Sequence, residues 1–166
     1  MSKDKTQILS KAVVEKKMIR MAYEILENNL DEESIVLAGI KENGVVMAQS
    51  IFHQLNKICD KKIELIIVSL NKKLPAEVVI DSPIDFNDKV IILIDDVANS
   101  GKTLLYALKP FIQFHPKKIQ TLVLVERSHK KFPVSPDYVG LSIATTIAEH
   151  IYVKVEGKEI TGAWLE

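Results

Sequence analysis

The tightest constraint on how this chain can fold is the stretch Val90 to Thr103, VIILIDDVANSGKT, where an unbroken apolar run ends in two aspartates and a small polar turn opens into a helical pattern. Val90 to Ile94 are consecutive, mostly β-branched and preceded by polar Asn87-Asp88-Lys89. That pattern fits a strand covered on both faces better than a half-exposed one, which would alternate. Strands of this kind belong to parallel sheets. Asp95 and Asp96 then fall at the carboxyl end, the edge where open α/β sheets bind ligands. Adjacent strand residues face opposite sides, so only one of the two carboxylates addresses a given pocket unless the chain turns at once.

Ser100 and Thr103 supply hydroxyls, Gly101 allows close approach of the backbone, and Thr103 is the predicted entry to a short helix with Leu104, Leu105, Ala107 and Leu108 as its apolar set and Pro110 as its stop. A helix N-terminus favours negative charge. Carboxylates beside such a nest of N–H groups suit a ligand that carries both hydroxyls and a phosphate. Taken singly, these Asp and Ser residues could equally be turn caps; their order raises the ligand reading above that. A nucleotide-triphosphate P-loop is excluded. It needs Gly five positions before Gly101, where this chain has Asp96, and the other Gly-x-x-x-x-Gly, Gly39 to Gly44, runs on into Val45-Val46.

Alternating elements surround this motif. Ser10 is a candidate cap for a helix in which Val13, Val14, Met18, Met21, Ala22, Ile25 and Leu26 recur at helical spacing, ending near Asn28-Asn29. Ile35 to Ile40 is predicted to be a buried strand, Val45 to Leu55 a helix, and Leu65 to Ser69 and Ile119 to Val125 further buried strands. Leu70 to Lys89, with two prolines, several charges and the β-rich piece Val78 to Ile80, is expected to be an excursion or mobile lid. Ile151 to Val155 and Ile160 to Leu165 are predicted to form a hairpin around Gly157-Lys158. Strands alternating with helices imply a parallel α/β sheet, a Rossmann-like domain with a final β flap packed over the strand ends.

Length and composition bound the rest. The 166 residues, 47% hydrophobic and 27% charged, suit one globular domain spanning 1–166. With 22 basic against 22 acidic residues there is no global pull toward nucleic acid or membrane, so any basic patch is local. The lone Cys59 cannot close an internal disulfide, the start MSKDKTQILSK is too charged for a signal peptide, and no apolar run reaches the ~20 residues of a membrane helix. A cytoplasmic setting without membrane partners is the expectation. His53, His115 and His150 have no metal-ligand spacing, so a zinc site is not expected.

Val90 to Thr103 resembles the phosphoribosyl-diphosphate (PRPP) binding motif of type I phosphoribosyltransferases. The similarity extends to the pyrimidine-operon attenuation regulators that double as uracil phosphoribosyltransferases. Ile8 to Asn29 resembles their first helix, Ile35 to Gly44 their strand and diphosphate loop, and Val125 to Thr146 their carboxy-terminal hood, placed at approximately 126–150 with the hairpin at 150–166. The resemblance implies transfer of 5-phosphoribosyl from PRPP to a nucleobase with release of diphosphate. Asp95 and Asp96 would then be the catalytic pair, binding the ribose hydroxyls directly or through magnesium. Val97, Ala98, Asn99, Ser100, Gly101, Lys102 and Thr103 would bind PRPP, with Ala98 to Thr103 holding the 5′-phosphate and Val97-Ala98 facing the base. Ile40, Lys41, Glu42, Asn43 and Gly44 would form the diphosphate loop. Magnesium is the implied cofactor, because a diphosphate is a hard oxygen ligand whose charge the ion offsets.

Several positions depart from the family pattern. Asn43 stands where the regulators have Arg, which removes a fixed cation, and the lid reads Leu70-Asn71-Lys72-Lys73 in place of Tyr-Arg, so that a lysine of the lid residues Asn71, Lys72 and Lys73 would act as a point charge without the bidentate fork of Arg. A solvated charge run is the equal alternative there. The 6-oxopurine enzymes carry a carboxylate three residues after the acidic pair; Asn99 occupies that place and cannot take a proton, which argues against a purine. The base is expected at Glu126, Arg127, Ser128, His129 and Val139, with uracil inferred from overall likeness. A lone His such as His129 after a strand is more often a surface or packing residue than a contact to base or phosphate. A homodimer or higher homo-oligomer follows from the resemblance. Two other readings remain open: an RNA-binding attenuation regulator, for which Arg127, Lys130 and Lys131 make a small basic group, and a PRPP- or nucleotide-binding protein that has lost turnover.

Overall fold

The computed structural model describes residues 4–75 and 77–166. Residues 1–3 of the charged start and residue 76 of the 70–89 excursion lie outside the described residues. The main layer is a six-stranded sheet in the order β4-β3-β2-β5-β6-β7. Its strands are β2 (Ser34–Ile40), β3 (Lys62–Leu70), β4 (Val78–Ile80), β5 (Val90–Ala98), β6 (Lys118–Arg127) and β7 (Tyr138–Ile143). All neighbours are parallel except β3 and β4.

Chain order explains where a ligand can bind. From β2 the chain moves outward to β3 and then crosses back to β5 on the other side of β2, so β2 and β5 flank the switch point of the sheet. Crossovers leaving these two strands depart in opposite directions and open a crevice at their carboxyl ends. Ile40 ends β2 there, and Asp95 and Asp96 lie near the end of β5.

Side-chain parity divides the core into two layers. Ile35 and Leu37 of β2 with Val90, Ile92 and Ile94 of β5 pack against α1 (Lys11–Asn28) and α2 (Asn43–Ile58) through Met18, Met21, Ile25, Met47 and Ile51. Val36, Ala38, Ile91 and Leu93 point the other way, onto Leu104 and Ala107 of α3 (Lys102–Ala107) and Phe111 of α4 (Lys109–Ile112). Covered on both faces, β2 and β5 read as continuous apolar runs. Ser10 caps α1 as expected, accepting from the Val13 amide at 3.3 Å.

Tertiary pairing overrides two expectations that the resemblance carries. The first helix does not begin at Ile8: Thr6–Ser10 forms β1, an edge strand antiparallel to β9 (Glu159–Leu165), a partner too far along the chain for a local pattern to announce. The predicted hairpin is present as β8 (Ile151–Glu156) and β9 around Gly157-Lys158, and β1 completes a separate three-stranded sheet in the order β1-β9-β8. Tyr138–Ile143, assigned to the hood, instead extends the main sheet as β7, with buried Gly140 close against the Leu124 carbonyl of β6. Lys17 and Arg20 of α1 donate to the Gly140 and Val139 carbonyls at 2.8 and 2.6 Å, which ties α1 to this strand. Pro110 does not stop α3, which ends at Ala107; it sits in the first turn of α4, where its missing N–H is not required.

Candidate active site

β5 delivers the two aspartates to opposite sides of the strand end, and each meets a different partner. Asp95 is 1% exposed, and Lys72 Nζ lies 2.9 and 3.1 Å from its two carboxylate oxygens. Asp96 accepts from Asn43 Nδ2 at 3.0 Å and lies 3.8 Å from the same Lys72 ammonium. The pair thus converges on one cation although its backbone positions diverge. Burial first, and then the neighbouring Asp96, push the Asp95 carboxyl up to about 7, against the pull of Lys72. Burial draws the Lys72 ammonium down, but Asp95 and Asp96 outweigh it and the net direction is upward.

Two cavities meet at this point. One, about 390 Å³, is lined by Asp95, Asp96 and the whole turn Val97 to Thr103, with Ile151 of β8 on its far wall. The other, about 510 Å³, is lined by Lys41, Glu42 and Asn43 on one side and Ser69 to Lys72 on the other. Asp96 and Lys72 belong to both. A larger groove of about 620 Å³ between α1, α2 and the β8-β9 turn contains none of these residues.

The 97–103 turn is braced from outside the cavity. The Ser100 carbonyl accepts from the Lys131 and Phe132 amides at 2.9 and 3.0 Å, and Ser100 Oγ accepts from the Lys102 amide at 3.3 Å. Gly101 has φ +86°, and a Cβ there would point at the Phe132 and Val134 carbonyls, 3.2 and 3.4 Å away. Glycine is needed for its backbone angle and this packing, rather than only for contact with an anion as the sequence alone suggests. α3 begins at Lys102, one residue before the expected Thr103.

In the loop after β2, Lys41, Glu42 and Asn43 face the second cavity, whereas Ile40 is wholly buried and Gly44 lets α2 approach β5 closely. A Cβ on Gly44 would meet the Ile94 carbonyl at 2.5 Å. Asn43 reaches further than its loop: besides Asp96 it donates to the Val153 carbonyl of β8 at 3.0 Å, tying the small sheet to the acidic pair. Of the three residues expected in the lid, Lys72 reaches the carboxylates and Asn71 lines the second cavity, while Lys73 lines neither and its amide bonds Asn71 Oδ1 at 3.0 Å.

The residues expected at the base are dispersed. Arg127 is 7% exposed and meets only neutral acceptors among its hydrogen-bond partners: Thr145 Oγ1 at 2.8 Å, the Thr146 carbonyl at 2.9 Å and Asn99 Oδ1 at 3.3 Å. It therefore clamps the 97–103 turn to the segment after β7. His129 Nε2 donates to the Thr145 carbonyl at 2.5 Å in the same clamp. Glu126 pairs with Lys130 at 2.8 Å beside Ser142, and Ser128 is exposed. Val139 is brought to neither cavity; it packs within the second core layer, several residues before the end of β7. Sequence reasoning misses Ile151 and the Val153 carbonyl. A hydrophobic side chain and a backbone oxygen carry no motif, so nothing local could mark them.

Hard oxygen donors suited to magnesium are present, because both carboxylates already face a cation in the form of Lys72. Among the described residues no cluster of three or more acidic, His or Cys side chains forms a cage made of protein alone. Asp95 and Asp96 supply hard oxygen donors of the kind that magnesium takes. No helix among the described residues is long and apolar enough to cross a membrane.

Comparison with known proteins finds relatives over most of the chain. The family model for the phosphoribosyl transferase domain matches residues 4–157. The bifunctional protein PyrR of Streptococcus uberis is 35% identical over 165 residues, covering 93% of this chain and 94% of that protein. Its counterpart from a Thermoanaerobacter species is 34% identical over 93% of this chain and 92% of its own length. Among solved structures, a hypoxanthine-guanine phosphoribosyltransferase from Bacillus anthracis superposes with a TM-score of 0.73 at 20% identity, covering 82% of this chain and 81% of that one, a likeness of fold.

Proposed function

The chain belongs to the phosphoribosyltransferase family, and on that footing we propose that it transfers the 5-phosphoribosyl group of PRPP to a pyrimidine, uracil in particular, and releases diphosphate. One observation carries the reading: two cavities of about 390 and 510 Å³ share Asp96 and Lys72 at their junction. PRPP has the matching layout, with a phosphate at one end of the ribose, a diphosphate at the other and two hydroxyls between.

In this reading the 97–103 turn holds the 5′-phosphate, Asp95 and Asp96 hold the ribose hydroxyls, and Lys41 to Asn43 with Lys72 face the diphosphate. A ring nitrogen of the base forms a bond to the anomeric carbon as the bond to the diphosphate oxygen breaks, that oxygen keeping the electron pair. Positive charge grows on the ribose and negative charge on the leaving group, so carboxylates beside the first and cations beside the second favour the transition state. Magnesium, held by Asp95 and Asp96, would neutralise diphosphate charge when bound. Asn43 orients Asp96, and Ile151 closes the wall of the ribose cavity.

The base is the finer part of the proposal. Asn99 supports a pyrimidine over a 6-oxopurine, because it offers no carboxylate and its oxygen is engaged by Arg127. Glu126, Arg127 and His129, at or just past the end of β6, are the groups proposed to face the base, Arg127 reaching the turn through Asn99. A homo-oligomer in a cytoplasmic setting is the accompanying expectation, in keeping with the single Cys59. Diphosphate release should be measured with PRPP, magnesium and a panel of nucleobases. Turnover with uracil supports the proposal; turnover with hypoxanthine or guanine alone replaces the base, and PRPP binding without turnover on any base leaves a binding protein.

A further inference from the structure

We propose that Ile151 decides which nucleophile reaches the ribose. Held over the cavity of the 97–103 turn by the small sheet, its side chain keeps water from the anomeric carbon, so that diphosphate leaves only in exchange for a base. The inference rests on the PRPP reading above and assigns to one apolar side chain the choice between transfer and hydrolysis.

Three features support it. Apart from Lys72 and the segment 95–104, Ile151 alone among the described residues lines the cavity of about 390 Å³. It is partly exposed there, and a side chain of this kind completes its burial only when a ligand covers it. Strand parity sets its direction: Ile151, Val153 and Val155 of β8 pack toward the core layer of α1 and α2, whereas Tyr152, Lys154 and Glu156 are exposed. Its place along the strand is pinned on both sides. His150 and Glu166 exchange backbone N–H···O bonds at 2.7 and 2.9 Å immediately before it, Leu165 faces it from β9, and Asn43 holds the Val153 carbonyl two residues on at 3.0 Å. Branching at Cβ leaves isoleucine few rotamers, so this wall is stiff.

The ribose needs such a wall because its transition state is indiscriminate. As positive charge grows on the anomeric carbon, a lone pair within bonding distance captures it, and water is far more abundant than any nucleobase. Capture by water forms a bond from the water oxygen to the anomeric carbon as the bond to the diphosphate oxygen breaks, that oxygen keeping the electron pair. The water releases one proton to solvent, and ribose 5-phosphate is formed in place of a nucleotide. Closing a site against water prevents this class of side reaction. Ile151 suits the task because its side chain offers water no hydrogen bond, whereas Asp96, Asn99, Ser100 and Thr103 around the same cavity each present a polar atom that would hold one.

Phosphorus NMR resolves ribose 5-phosphate from nucleotide when the protein is given PRPP, magnesium and uracil, or whichever base the panel selects. Wild type should form almost no ribose 5-phosphate, with or without base. Ile151→Ala should raise the ratio of ribose 5-phosphate to nucleotide about tenfold or more, and Ile151→Leu should keep it near the wild-type value. Val155→Ala loosens the same face of β8 away from the cavity and should leave the ratio unchanged; an equal rise there would make the effect one of sheet stability and overturn the assignment. Melting temperatures show which variants fold, and Ile151→Thr, which keeps the branched Cβ and adds a hydroxyl, replaces Ile151→Ala if the latter does not. If no base turns over, the base-free rate of ribose 5-phosphate formation is compared by the same criteria. A change of less than twofold in Ile151→Ala would overturn the proposal. Calorimetry of PRPP with magnesium on wild type separates the two ideas: no binding removes the ligand reading itself, whereas binding with an unchanged ratio removes only the role of Ile151.

Discussion

Asn43 Nδ2 lies 3.0 Å from Asp96 Oδ2 and also 3.0 Å from the Val153 carbonyl, so one amide group joins the loop after β2, the end of β5 and the small sheet. The related regulators carry Arg at this position by resemblance. An arginine would bring a cation to the diphosphate side, whereas Asn43 spends both amide protons on orientation. Asn43→Ala should lower PRPP affinity roughly tenfold by freeing Asp96, and cost about 1 kcal/mol of stability for the two lost bonds. Calorimetry and urea denaturation measure the two effects. Asn43→Asp should be worse for affinity, because it adds a third carboxylate beside the pair.

Asp95 carries a stability cost that depends on pH. Its carboxyl sits at about 7 in the fold against 3.8 as the reference value, mainly through burial and then through Asp96. A raised folded-state value means that the native state binds the proton more tightly than the unfolded chain does. The contribution of this group is therefore fully present below about pH 4 and is lost as pH rises through about 7. Asp95→Asn should make the protein more stable than wild type by about 1–3 kcal/mol at pH 8 and by little at pH 4. The same variant should bind PRPP more weakly. Parallel melts across this pH range check the first outcome, and equal wild-type and variant stability throughout would remove the buried-charge account. Calorimetry checks the second.

Gly101→Val tests the turn. Its φ of +86° and the carbonyls 3.2 and 3.4 Å from where a Cβ would sit predict a loss of about 2 kcal/mol in urea unfolding, with weaker PRPP binding following from the distorted turn. Affinity falling without any loss of stability would mean that the side chain intrudes on the phosphate itself.

Arg127→Met keeps much of the buried volume and removes three hydrogen bonds between the β6 end, Asn99 and the Thr145-Thr146 segment. Loss of the clamp should raise KM for the base several-fold more than KM for PRPP. Steady-state kinetics with each substrate varied in turn separates these, and equal changes in both would assign Arg127 to general stability.

Much of the scaffold is legible because local chemistry and tertiary role agree along it. Val90 to Ile94 reads as a doubly covered strand and is one, since both faces of β5 meet helices. Ser10 marks the start of α1, and Gly157-Lys158 marks the final hairpin. Leu65 to Ser69 is too narrow a span for its strand: β3 runs from Lys62 to Leu70 and is only partly buried, lying between β2 and the short edge strand β4. The family resemblance puts Ile8 in the first helix and Tyr138–Ile143 in the hood, but Thr6–Ser10 and Tyr138–Ile143 are strands. Each becomes a strand because its partner comes from a segment that the local pattern does not reveal.

By itself the sequence determined the acidic doublet, the Gly-bearing turn after it and the two Gly-bounded ends of the loop after β2, because these depend on residue type at short spacing. Tertiary structure alone decided that Lys72, rather than Lys41 or Lys73, faces Asp95, that Asn43 holds Asp96 against β8, and that Arg127 locks the turn from behind. Those contacts join residues far apart in the chain, and only the order in which the sheet winds out from β2 and back to β5 brings them within reach of one another.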